Sequence, residues 1–232
     1  MGKEGIHDGH RERVKKEFLQ NGFDMNTPPH KIIEMLLFYS IPRKDTNEFA
    51  HELLNRFGSV SGILDAPVEE LVKVPGISTN TAALIKLIIP IARIYFTETN
   101  SKDKRFLRED DVCEYLMNRY FGYKNEVFSV VSFSGNGRML GFDILASGNV
   151  NEVHASARKV IETVINRNAV CAIIAHNHPN GTALPSDEDV AVTENIKSAL
   201  DHINVKLLDH IIIAGDDYVS MRQSQAYKYI FK

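Results

Sequence analysis

The sequence predicts an α+β chain: an all-α N-terminal part, then a part in which helices and strands interleave. Three observations predict it. Apolar residues recur at helical spacing from about residue 9 to 97. A polar, charged stretch, "ETNSKDKRFLREDD", follows at about 98–111. Beyond it, apolar runs of strand length alternate with helical segments. The boundaries read from this pattern are a helical domain over 1–100, a linker over 101–109 and a mixed domain over 110–232.

Each element has a local reason. "HKIIEMLLFYS" sets Ile32, Ile33, Met35, Leu36 and Leu37 on one broad apolar helical face. "TNEFAHELLNRFG" opens on Thr46, a capping residue type, and stops at Gly58. "APVEELVKVPG" starts with Pro67 near its first turn and ends before Pro75-Gly76. "STNTAALIKLIIPIARIYF" reads as a long apolar helix bent at Pro90. In the second part, "DDVCEYLMNRYF" is a helix, and "EVFSVVSFS" and "MLGFDILASG" are strands joined by the turn "GNGR". The helix "HASARKVIETVINRNA" precedes the buried strand "VCAIIAH". The helix "DEDVAVTENIKSALDHIN" precedes the strands "VKLLDHIIIAG" and "DYVSMRQ". Interleaving of this kind gives two or three layers.

Composition narrows the function classes. With 44% hydrophobic and 25% charged residues, the chain is ordinary for a globular protein. Lys86 and Arg93 interrupt the longest apolar run, so no membrane association is expected, and the first residues lack a signal-peptide core. Cys113 and Cys171 stand far apart and imply no disulfide framework, which suits a reducing, cytoplasmic setting. Net charge is −3, with 12 Lys+Arg against 13 Asp+Glu in residues 1–100 and 15 against 17 in the remainder. Neither part has the basic excess of a dedicated nucleic-acid binder. The densest basic stretch, "HRERVKK", reads as a solvated helix face.

The chemistry concentrates in "AIIAHNHPNGTALPSDEDVAVT". His176 and His178 are two apart at a strand end, so their side chains share one face. After a Pro/Gly turn, Ser186 stands where a helix should begin and Asp189 lies on its first turn. A catalytic zinc site takes three N/O ligands and leaves a position open. His176, His178 and Asp189 can supply that set if the loop folds the helix start over the strand end. Ser186 and Asp189 are equally a capping pair, and H-x-H alone is a weak metal signal. There is no H-E-x-x-H, no C-x-x-C partner and no Gly-rich phosphate loop. Cys171 sits in an apolar run and reads as core, and His154 reads as surface.

His176-Asn-His178-Pro followed by Ser186-x-x-Asp189 resembles the H-x-H-x7-S-x2-D signature of JAMM (MPN-domain) zinc metallopeptidases. "HNHPNG…PS..D" followed by "LLDHIII" resembles, more narrowly, the RadC family. Upstream, "GHRERVKKEF", "EMLLFYSIPRKDTN" and "LVKVPGIS" extend that resemblance over nearly the whole chain. It implies a C-terminal α/β/α MPN domain with a mixed, mainly antiparallel sheet. It also implies that His176, His178 and Asp189 bind Zn2+, that Glu126 is the general base and that Ser186 helps stabilise an oxyanion. Asp143 is the other carboxylate within the matching order of elements. The expected reaction is hydrolysis of an amide or isopeptide bond in a protein or peptide substrate. His210 matches a histidine of the family motif and also suits a buried structural role. Arg158 falls where the family has an Arg-Glu pair, but Lys159 follows it here.

In the helical part, "VKVPGIS" resembles the hairpin of a helix-hairpin-helix motif, with Gly76 permitting the tight turn. Such a turn offers backbone N–H groups to a DNA phosphate. It also occurs wherever two helices must turn sharply, and the slightly acidic balance gives little phosphate affinity. DNA binding, partner docking and a purely structural role stay open. For the whole chain, the rivals to a hydrolase are a DNA-associated repair or recombination accessory with a non-catalytic metal site, and a protein-binding scaffold.

Overall fold

The computed structural model describes residues 6–42, 44–101, 109–148, 157–179 and 181–232. Most of the expected linker, and His154, lie outside them. Contacts divide the chain into two units, one ending at Ala92 and one beginning at Arg93.

The first unit is helical: α1 (Ile6–Asn21), α2 (Pro29–Leu37), α3 (Asn47–Phe57), α4 (Val60–Asp65), α5 (Val68–Leu71) and the start of α6 (Thr79–Ser101). Its core gathers Ile33, Leu37, Leu53, Ile63, Leu71, Ile77 and Ile85, one apolar stripe from each of several short helices. Gly58 ends α3 with φ +80, and its N–H donates to Leu54 O. Ser59 caps α4 by accepting from Gly62 N. Thr46 differs from expectation. It precedes α3 without capping it, and its hydroxyl donates instead to Glu34 O at 3.4 Å. The "APVEELVKVPG" helix is likewise shorter than expected, only Val68–Leu71.

Gly76 adopts φ +85, and a Cβ there would lie 2.6 Å from the Phe49 ring. Both the backbone twist and the close ring therefore favour glycine. Pro90 lies inside α6. Residues Thr79–Thr99 are long and apolar enough to cross a membrane by length and composition, although Lys86 and Arg93 fall within them. Ala82 and Ile85 of that helix are nonetheless fully buried in the helical core. Lys86 Nζ donates to the carbonyls of Leu64 (2.7 Å) and Ala66 (3.0 Å).

The second unit is a layered α/β structure. After α7 (Glu109–Tyr120) come β1 (Glu126–Phe133), β2 (Met139–Gly148), α8 (Ala157–Asn166), β3 (Cys171–Asn177), α9 (Asp187–Asp201), β4 (Lys206–Ala214) and β5 (Asp217–Ser220). The five strands form one sheet in the order β2-β1-β3-β4-β5. Only the β3–β4 pair is parallel, so the sheet is mixed and mainly antiparallel. Strand alternation builds two cores. Val127, Val131, Ile173 and Ala175 pack with Tyr115, Leu116 and Tyr120 of α7 on one face. Phe128, Val130, Ala172 and Ile174 pack with Val160 and Val164 of α8 and Ile196 and Leu200 of α9 on the other. Helices on both faces make an α/β/α sandwich. Cys171 departs from the core reading: at the start of β3 it is only partly buried, against the α7-side cluster.

Candidate metal centre at the strand ends

His176 continues the Ala172–Ile174 row of β3, so it faces the α8/α9 side and is 0% exposed. Its antiparallel partner on β1 is Phe128, whose ring stacks on the imidazole at 6.2 Å with an interplanar angle of 9°. His178 follows the strand, its N–H donating to Ile213 O of β4 at 2.7 Å. The chain then turns, and His178 Nδ1 lies 2.8 Å from the Thr182 carbonyl oxygen. A carbonyl only accepts, so Nδ1 carries a proton, and in the neutral ring Nε2 keeps its lone pair.

Ser186 starts α9 with a reciprocal capping box. Its hydroxyl oxygen accepts from Asp189 N at 3.1 Å, and the Asp189 carboxylate accepts from Ser186 N at 2.8 Å. The box swings Asp189 back over the strand end. Its Oδ2 also accepts a hydrogen bond from the Ser186 hydroxyl at 2.7 Å, which leaves Oδ1 facing His176.

The facing atoms are close. His176 Nε2 lies 2.9 Å from His178 Nε2 and 3.1 Å from Asp189 Oδ1, and His178 Nε2 lies 3.7 Å from Asp189 Oδ2. Glu126 opens β1 beside them, and one ligand atom each from Glu126, His176 and His178 lie within 4.8 Å of one another. A tetrahedral zinc with bonds of about 2.0–2.1 Å separates its ligand atoms by roughly 3.3 Å. The observed spacings straddle that value, and the donor set of two imidazoles and a carboxylate suits the same ion. Burial acts to raise the Asp189 pKa, but the neighbouring His176 and the hydrogen bonds from Ser186 outweigh it and hold the carboxyl well below the usual range.

Asn177, between the two histidines, faces the other way. Its Oδ1 accepts from Val127 N at 2.8 Å and its Nδ2 donates to Asn125 O at 3.1 Å. These are the residues on either side of Glu126, so one amide fixes the Glu126 backbone relative to the histidine strand. Asp143 is not in the cluster: Arg167 holds it through Nε at 3.0 Å and Nη2 at 2.6 Å. Arg158 is exposed and pairs with Glu162 at 2.8 Å. His210 on β4 is 0% exposed and contacts His176 Nδ1 at 2.8 Å. Burial, and next the neighbouring His176, push its pKa well below the ordinary imidazole range. The resemblance pointed at His210, whereas Asn177 and Thr193 escaped sequence reasoning. Their only signals were an amide between the two histidines and a hydroxyl four residues after Asp189.

The family model for a RadC-like JAB domain matches residues 106–226, a span that contains all of these groups. A UPF0758 protein of Fusobacterium nucleatum subsp. nucleatum is 34% identical over 222 residues, covering 92% of this chain and 95% of the relative. A UPF0758 protein of Carboxydothermus hydrogenoformans is 31% identical over 215 residues, covering 93% of this chain and 95% of the relative.

Proposed function

The chain belongs to the RadC family, and on that premise we propose that it is a zinc-dependent hydrolase of amide bonds, isopeptide bonds included. The observation that carries the reading is the meeting of two imidazole Nε2 atoms at 2.9 Å with Asp189 Oδ1 beside them. Acceptor atoms turned toward one another are satisfied together by a cation. His176, His178 and Asp189 would hold the zinc, which supplies a Lewis acid able to make water a nucleophile near neutral pH.

The chain's own groups supply the rest. Glu126 accepts the proton of the attacking water and returns it to the leaving amine. Asn177 holds Glu126 in place for both transfers. Ser186 first orients Asp189 through the capping box. To stabilise an oxyanion as well, its hydroxyl must rotate away from Asp189 Oδ2 when substrate enters. The substrate is a protein or peptide.

The test is a Glu126→Gln variant assayed on a library of fluorogenic peptide and isopeptide substrates, with zinc content measured alongside. Hydrolysis should fall by about 10²-fold or more while zinc stays at the wild-type level. Unchanged hydrolysis would remove Glu126 from the reaction. A second reading is a DNA-associated accessory protein, favoured by the positive-φ Gly76 turn at "VKVPGIS". It requires salt-sensitive binding to branched or single-stranded DNA that is lost on Gly76→Ala.

A further inference from the structure

Behind His176 lies a buried polar chain that metal coordination alone does not require. His176 Nδ1 meets His210 Nε2 at 2.8 Å, and His210 Nδ1 meets Thr193 Oγ1 at 2.6 Å. Thr193 Oγ1 meets the Asp189 carbonyl oxygen, one turn back along α9, at 2.5 Å. His176, His210 and Thr193 are each 0% exposed, so bulk solvent does not reach these contacts. The direction of every bond follows from the last one. A backbone carbonyl can only accept, so the single Thr193 proton points at Asp189 O. The Thr193 oxygen must therefore accept from His210, which places a proton on His210 Nδ1. A neutral His210 then has a bare Nε2, which accepts from His176 Nδ1–H. His176 Nε2 is left with its lone pair facing His178 and Asp189.

We propose that Thr193 and His210 are positioning residues that fix the tautomer of His176, with the helix carbonyl of Asp189 as the anchor that sets the direction. The same residue, Asp189, thus enters the site twice: its carboxylate faces the histidines, and its backbone oxygen orders His176 from behind. The inference rests on the zinc reading for its purpose, but the proton placement is a property of the polypeptide. Partners that orient a histidine ligand typically alter metal affinity by about 10–100-fold when removed.

Two measurements on the full chain separate this inference from the zinc reading. Long-range 1H–15N correlation spectra of labelled protein report which ring nitrogen of each histidine carries the proton, with or without zinc. The expected pattern is Nδ1–H at His210 and at His176, with a bare His210 Nε2. A proton on His210 Nε2 would overturn the inference whether or not the protein binds zinc. The second is zinc affinity, by competition with a chromophoric chelator. Thr193→Val and His210→Phe should weaken binding about 10–100-fold. Thr193→Ser, and His210→Gln, whose amide can accept from His176 and donate to Thr193, should restore it to within a few-fold. Wild-type affinity in Thr193→Val and His210→Phe, with binding abolished in a His178→Ala control, would refute the positioning role. Absence of zinc binding in the wild type, with the expected tautomers present, would instead sink the zinc reading alone.

Discussion

The two units place buried polar side chains in opposite ways. In the helical unit, Glu34 is 2% exposed, and its carboxylate meets His10 Nε2 at 2.9 Å and Asn47 Nδ2 at 3.3 Å. An imidazole nitrogen or an amide donor faces each of its oxygens, so the cluster closes on itself and ties α1, α2 and α3 together. At the end of the sheet, the Nε2 atoms of His176 and His178 face each other, with a carboxylate oxygen beside them. Acceptors behind both rings, Thr182 O for His178 and His210 Nε2 for His176, hold them in that arrangement. A closed polar cluster satisfies its own groups, whereas one whose acceptors converge leaves them to be satisfied by a further group. The contrast teaches that burial and charge alone do not mark a site; the direction of the protons does.

The comparison breaks most readily at Asp189. Asp189→Ala removes both the carboxylate oxygen facing the histidines and half of the capping box. Zinc should be lost from the purified protein, and unfolding in urea should show a loss of about 0.5–2 kcal/mol. Retained zinc in this variant would mean that Asp189 caps its helix and nothing more. Asn177→Leu strikes next. It leaves a buried N–H at Val127 without its acceptor, which costs roughly 1–3 kcal/mol. Hydrolysis should fall while zinc remains, because the histidines themselves keep their partners. Gly76→Ala sharpens the other side of the contrast. A left-handed conformation costs a non-glycine residue roughly 1–2 kcal/mol, and Phe49 must also move. Stability should drop in a thermal melt with zinc content unchanged; a loss of zinc would show that the helical unit supports the metal centre.

Much of this was legible in the sequence, and for identifiable reasons. β1 and β2 follow from two apolar runs around "GNGR", where Gly137 supplies the positive φ of the turn. The histidine pair and the Ser186-x-x-Asp189 step are local patterns, and the helix start they imply is where α9 begins. What could not be read depends on contacts distant in sequence. The bond from Val127 N to Asn177 spans 50 positions. His210 reaches His176 because the parallel register sets His210 beside Ile174, and no local pattern encodes that register. Thr46 misled for a related reason: its residue type suits a cap, but the nearby Glu34 carbonyl takes its hydroxyl.

The most direct test of the central claim is elemental analysis of the purified full chain beside a His176→Ala/His178→Ala double variant. The account predicts about one zinc per wild-type chain and almost none in the variant. Equal metal in both proteins, or none in either, would contradict it.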